Sequence, residues 1–171
     1  ARRVREIGVY CKLLPYDVST HFIENFKPNG IILSGGPDTV NQSNSARAPK
    51  IVFDLNVPIL GICFGHQIIA EALGGSVRNS PNGWHAGVDS ISLNNNAYNY
   101  GEEGKKYNLV FSHQDEVQKL PHNATLIAGS ATCPNGMFLI ENHIFCTQGH
   151  IELDKKFARM IYDFRKNQIG D

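Results

Sequence analysis

Hydrophobic and polar positions change rhythm near the middle of the chain. Residues 9–14 form a β-rich apolar run closed by Pro15, which predicts a strand. Ser19 then stands as an N-cap before Phe22, Ile23 and Phe26, which are spaced for one face of a short helix. Gly30-Ile31-Ile32-Leu33 reads as a short buried strand running into the turn Ser34-Gly35-Gly36-Pro37. A polar loop follows, then a helix over 49–55. Residues 57–62 make a third apolar strand, and the helix after it stops at Gly74-Gly75. Strands that are apolar throughout and alternate with helices predict a parallel sheet covered on both faces.

Beyond residue 75 short strands dominate, at 88–93, 109–112, 125–128, 136–140 and 143–147. A last amphipathic helix carries Phe157, Met160, Ile161 and Phe164 at i, i+3, i+4 and i+7. Residues 94–106, three consecutive Asn and then Gly-Glu-Glu-Gly-Lys-Lys, predict an exposed loop. With no internal repeat and no linker, residues 1–171 read as one domain.

Composition removes several classes of function. The 171 residues are 42% hydrophobic and 19% charged, with 16 Gly and 8 Pro, which excludes a disordered or collagenous chain. Sixteen Lys+Arg balance sixteen Asp+Glu, so no global field draws in nucleic acid or an anionic membrane, and neither is expected as a partner. The apolar runs are too short to span a bilayer. Cys11, Cys63, Cys133 and Cys146 fit neither a zinc site nor a disulfide framework, so free thiols in a reducing, cytoplasmic setting are expected. No metal-ligand cluster is visible, and no cofactor is expected in this domain.

The chemistry gathers at Gly61-Ile62-Cys63-Phe64-Gly65-His66-Gln67. A strand ends in a thiol, glycines flank it two residues away on each side, and a helix begins at once. This is the pattern of a nucleophile elbow: the tight turn needs small neighbours, and the helix N-terminus favours a thiolate. A buried structural cysteine in the same turn is the plainer alternative. A thiol nucleophile needs a base, and His150 has the best surroundings of the seven histidines. Glu152 lies two residues on and, in an extended segment, projects to the same side, where a carboxylate orients an imidazole. An ordinary loop histidine near a capping glutamate fits that spacing equally well. His66 would point along its helix away from Cys63, and His21, His85, His122 and His143 read as surface or turn residues.

Ser34 to Thr39 is a Gly-rich turn after a strand, read as an oxyanion hole in which the N–H groups of Gly36 and Phe64 face a tetrahedral intermediate. A phosphate loop is the weaker reading, because a polar Asn/Ser stretch follows where a helix should start. Ser112-His113-Gln114-Asp115 marks a substrate edge or a capped turn, and Trp84 reads as packing.

Taken together these residues resemble the class I glutamine amidotransferases, whose elbow is G-x-C-x-G-x-Q, over nearly the whole chain. The resemblance implies a flavodoxin-like α/β three-layer sandwich with a central, mostly parallel sheet. It implies glutamine hydrolysis with Cys63 as nucleophile, His150 as base and Glu152 as its partner. Gly36 and Phe64 would donate to the oxyanion, and Gln67, Ser112 and His113 would hold the glutamine. Within the family the first half looks most like the amidotransferase domain of GMP synthases, on Ala1-Arg2-Arg3-Val4-Arg5-Glu6, residues 30–40 and Ala46-Arg47-Ala48-Pro49. The second half looks closer to free-standing, GMP-synthase-like proteins. That likeness implies a partner subunit or domain, either an ATP-pyrophosphatase or another synthetase that alone would need ATP and magnesium, and ammonia delivered to XMP. A free-standing γ-glutamyl amide or peptide hydrolase, and a catalytically silent domain that binds or regulates a partner, stay open.

Two departures are visible. Ile151 stands where the family usually has Pro, whose fixed φ would help place both triad side chains. The family also begins with a central strand ahead of its Arg-Arg-Val-Arg helix. No counterpart is in this sequence, which predicts either that residues upstream of Ala1 supply it or that the sheet is rearranged.

Overall fold

The computed structural model describes residues 1–94 and 99–169. In chain order the elements are α1 (Arg2–Glu6), α2 (Thr20–Phe26), β1 (Ile31–Leu33), α3 (Ile51–Asp54), β2 (Ile59–Ile62), α4 (Phe64–Ala72) and β3 (Ser76–Asn79). They continue with β4 (His85–Leu93), β5 (Lys106–His113), β6 (Asp115–Lys119), β7 (Ala124–Gly129), β8 (Met137–Ile140), β9 (Ile144–Thr147) and α5 (Lys155–Ile169). Seven strands form one sheet in the order β1-β2-β9-β8-β7-β4-β5, and β3 pairs with β6 in a separate ribbon.

The sheet is mixed. β1, β2 and β9 run parallel, and every pairing from β9 to β5 is antiparallel. The parallel part is the part that matters here, because β2 ends at Cys63 and β9 leads to His150. In register, Ile62 stands beside Thr147, so the elbow and the segment after β9 leave the sheet at the same end. α4 packs on this part of the sheet, with Ile69 and Ala70 fully buried against Ile59, Phe138, Ile144 and Cys146.

Two close approaches set that packing. A Cβ on Gly61 would lie 2.5 Å from Ile69 Cδ1, and a Cβ on Gly65 would collide with the Leu33 carbonyl. Both glycines let the first turn of α4 lie directly on β1 and β2. Farther along, Ile91, Phe111, Ile127 and Ala128 form a second core under the antiparallel strands.

Several expectations from the sequence change. Residues 9–14 are not a strand: Val9, Tyr10 and Leu13 are exposed, and no strand among the described residues runs beside them. An apolar β-prone run becomes a strand only where a neighbour completes its backbone hydrogen bonds. β3 and β6 were hidden because their sequences, Ser-Val-Arg-Asn and Asp-Glu-Val-Gln-Lys, are mostly polar. They pair with each other instead of entering the main sheet, and Arg78 meets the buried Glu116 at 2.9 Å across the ribbon.

The last helix is present but turned. Phe157, Met160 and Phe164 of its apolar stripe are exposed, and Ala158 and Tyr162 face the body beside Ile161. The tyrosine hydroxyl finds two backbone partners on the sheet, which seats that face (below). Helix α2 keeps its expected cap, with the Ser19 hydroxyl accepting from the Phe22 N–H at 3.2 Å. Within the expected loop 94–106, residues 95–98 lie outside the described residues, and Lys106 already begins β5. No helix among the described residues is long and apolar enough to cross a membrane.

Candidate active site

Cys63 sits between β2 and α4 with φ 54° and ψ −108°, a left-handed backbone conformation that ordinary residues avoid. Holding it there stores about 1–3 kcal/mol of strain. Three contacts hold it: the Cys63 N–H donates to the Thr147 carbonyl at 2.9 Å, the Cys63 carbonyl accepts from the Gln67 N–H at 3.2 Å, and Gly65 lies against Leu33. The thiol is buried, with Sγ 4.0 Å from the Ser112 carbonyl.

His150 reaches the same point from β9. Its N–H donates to the Val110 carbonyl of β5 at 2.8 Å, fixing the backbone, and its Nδ1 lies 2.7 Å from Glu152 Oε1. The carboxylate can only accept, so Nδ1 carries the proton and Nε2 is left for the thiol. Burial pulls the His150 pKa down, but hydrogen bonds to Cys63 and Glu152 outweigh it and raise the value to about 10. Burial acts on Glu152 in the opposite sense, and the bond from His150 wins there too, leaving the carboxyl below its ordinary range. The pair forms with Ile151 between the two residues, half exposed.

Two cavities meet at Cys63. One, of about 440 Å³, is lined by Gly36, Phe64, Gln67, Ser112 and His113, all expected from the sequence. Asn79 was not foreseen, and Asp38, Thr39 and Asp115 entered only as members of the Ser34–Thr39 turn and the Ser112–Asp115 cluster, with no role of their own. Asp115 is a buried knot: one oxygen accepts from the Thr39 hydroxyl and the other from Asn79 Nδ2 at 2.6 Å. Its place in the Ser112-His113-Gln114-Asp115 cluster was the only signal. Trp84, read as packing, also lines this cavity and is 37% exposed. The second cavity, of about 310 Å³, lies on the His150 side and is walled by Glu152, Leu153 and the inward face of α5.

Other polar side chains are already committed. Gln67 Nε2 donates to the Asp115 carbonyl at 2.8 Å and to Gln148 Oε1 at 3.0 Å, so this amide braces the cavity wall. His113 Nδ1 donates to the same carbonyl at 2.8 Å, and burial lowers the imidazole pKa to about 4. His66 is wholly buried on the Asn135 carbonyl, its pKa lowered by burial to about 3, and it turns away from Cys63 as its place on the helix implied. His85 is not the surface residue expected: it stacks on Phe111 at 4.5 Å between ring centroids. Burial pushes the Cys133 thiol up to about 12 and Cys146 higher still, which makes both inert. No group of three or more metal-ligating side chains occurs among the described residues.

A strained buried thiol beside an imidazole that holds a carboxylate is the arrangement of a cysteine hydrolase or transferase. The family model for glutamine amidotransferase class-I matches residues 1–166. The chain belongs to the class-I glutamine amidotransferase family. Among curated members it is 46% identical over 185 residues to the GMP synthase [glutamine-hydrolyzing] of Vesicomyosocius okutanii, an alignment covering 100% of this chain and 35% of that one. It is 43% identical over 180 residues to the enzyme of the same name from Pseudomonas putida, covering 99% and 34%. The chain thus spans about a third of the length of these relatives.

Solved structures agree on the fold. A crystal structure from Thermoplasma acidophilum, assigned to a subunit of GMP synthase, superposes with a TM-score of 0.73 at 28% identity, covering 98% of this chain and 88% of that one. A glutamine amido transferase from Methylobacillus flagellatus gives 0.80 at 21% identity, covering 94% and 67%. The second likeness concerns the amidotransferase fold alone.

Proposed function

We propose that this amidotransferase domain hydrolyses glutamine to glutamate and ammonia through a Cys63 thioester, and that the ammonia feeds a synthetase that aminates XMP to GMP. The observation that carries the reading is the strained Cys63 set against the His150–Glu152 pair.

In the proposed cycle the Cys63 thiolate attacks the side-chain amide carbon, and the N–H groups of Gly36 and Phe64 take the charge that develops on oxygen. His150, protonated at the start, gives its Nε2 proton to the departing nitrogen, and ammonia leaves as the γ-glutamyl thioester forms. The now neutral His150 takes a proton from water. The hydroxide so formed attacks the thioester and releases glutamate, and the thiolate–imidazolium pair is restored. Glu152 holds the ring in the needed tautomer throughout. Ser112 and His113 border the substrate in the larger cavity, and Gln67 stiffens its wall.

No cofactor enters these steps. The partner is an ATP-pyrophosphatase or other synthetase, as a subunit or domain, where ATP and magnesium would act, and the setting is cytoplasmic. The relatives' names and the two-thirds of their length beyond the match support this partner.

A glutamine analogue with a chloromethyl ketone in place of the carboxamide tests the site without any partner. Cys63 displaces its chloride, so the analogue's mass less HCl is expected on the Cys63 peptide, with glutamine protecting. Labelling elsewhere, or labelling that glutamine does not slow, would contradict the proposal.

A further inference from the structure

The hydroxyl of Tyr162 on α5 sits between two backbone groups of the sheet: the Gly87 N–H donates to it at 2.6 Å, and it donates to the Phe111 carbonyl at 2.5 Å. Gly87 and Phe111 stand directly opposite each other in the β4–β5 register, so one side chain ties both strands to α5. Gly87 has φ 136°, which a residue with a side chain rarely adopts, and this turns its N–H toward the hydroxyl.

What lies on either side of Phe111 gives this tie its meaning. The Val110 carbonyl accepts from the His150 N–H at 2.8 Å, and the Ser112 carbonyl lies 4.0 Å from Cys63 Sγ. Carbonyls alternate along a strand, so those of 110 and 112 point to one edge and that of 111 to the other. Three consecutive residues of β5 therefore meet His150, Tyr162 and Cys63, the first two through hydrogen bonds. β5 is the last strand in the sheet order, with no strand beyond it among the described residues to fix its position.

We propose that Tyr162 is a positioning residue for the Cys63–His150 pair, acting through β5. This rests on the cysteine-hydrolase reading above and deepens it. Tyr162 touches neither reacting group's proton; it sets where the Val110 carbonyl holds the His150 backbone, and hence how closely Nε2 faces the thiol. The groups that face His150 are Cys63 from the elbow, Glu152 from its own segment and His113 from the end of β5. Tyr162 lines the same smaller cavity as His150, but its hydroxyl is spent on Gly87 and Phe111, so Tyr162→Phe leaves those three groups in place and a change in the pair's behaviour reports position.

The test is the pH dependence of Cys63 alkylation by iodoacetamide in the full-length protein, read by mass spectrometry on the Cys63 peptide, for wild type and Tyr162→Phe. Wild type is expected to react at pH 6, because His150, its pKa raised to about 10, stands protonated beside the sulfur. Tyr162→Phe is expected to react at least about threefold more slowly at pH 6 and to converge with wild type above pH 9, its circular dichroism unchanged. Lower thermal stability with superimposed alkylation profiles would make Tyr162 a packing residue and overturn the proposal. A wild-type protein without the reaction at pH 6 would instead overturn the ion pair, and with it the role given to Tyr162.

Discussion

At the scale of single residues, the site depends on which partner each ring nitrogen of His150 keeps. Glu152 is one of two groups that hold the imidazole protonated, to a pKa of about 10, against the pull of burial. Glu152→Gln removes the negative charge and keeps the shape. Its glutamine turnover is expected to fall roughly 10²-fold or more. Because the His150 pKa drops, the alkaline limb of the kcat/KM profile should move to lower pH. A profile with an unmoved alkaline limb would show that Glu152 does not act on His150. Cys63 was legible in the sequence because an elbow is local: glycines two residues away on each side and an abrupt strand-to-helix change leave a short signature. Asp115 and Tyr162 were not. Their partners, Thr39, Asn79, Gly87 and Phe111, lie far away in the chain, and no spacing rule connects them.

At the scale of elements, the site is the place where α4 is pressed onto the ends of β1 and β2. Gly65 allows it, since any side chain there meets the Leu33 carbonyl. Gly65→Ala must push the helix away from β1 and relax the turn that strains Cys63. A loss of about 1–3 kcal/mol in urea denaturation is expected, together with a loss of Cys63 labelling larger than the unfolded fraction explains. Wild-type labelling in a destabilised but folded variant would separate the elbow from the packing of α4. The helices and the apolar strands were readable from periodicity and caps. Residues 9–14 were misread and β3 and β6 missed for one reason: pairing is decided by neighbours as well as by composition, so an apolar run stayed unpaired and two polar ones found each other.

At the scale of the whole molecule, three histidines set opposite demands on pH. His66 and His113 are buried neutral, with pKa values lowered to about 3 and about 4, so between those values and about 6.5 the unfolded chain binds more protons than the folded one. Stability should therefore fall as pH drops below 6.5, by up to about 1.4 kcal/mol per pH unit for each. His150 works the other way: its raised pKa stabilises fully below about 6.5, and that contribution is lost as pH rises toward 10. Urea midpoints should peak near pH 6.5 and be clearly lower at pH 4.5. Equal midpoints at the two values would mean that the two buried rings are protonated in the fold. The fold class was legible because alternating helices and apolar strands occupy the half of the chain that carries the elbow; the antiparallel pairing of the other half was not, since short strands show their number but not their direction. Every proposed step depends on Cys63 breaking the glutamine amide. The most direct measurement is glutamate release from glutamine by the full-length protein, wild type against Cys63→Ala, with ATP and XMP supplied. Release by wild type and none by Cys63→Ala is the predicted result; equal release by both proteins, or by neither, would contradict it.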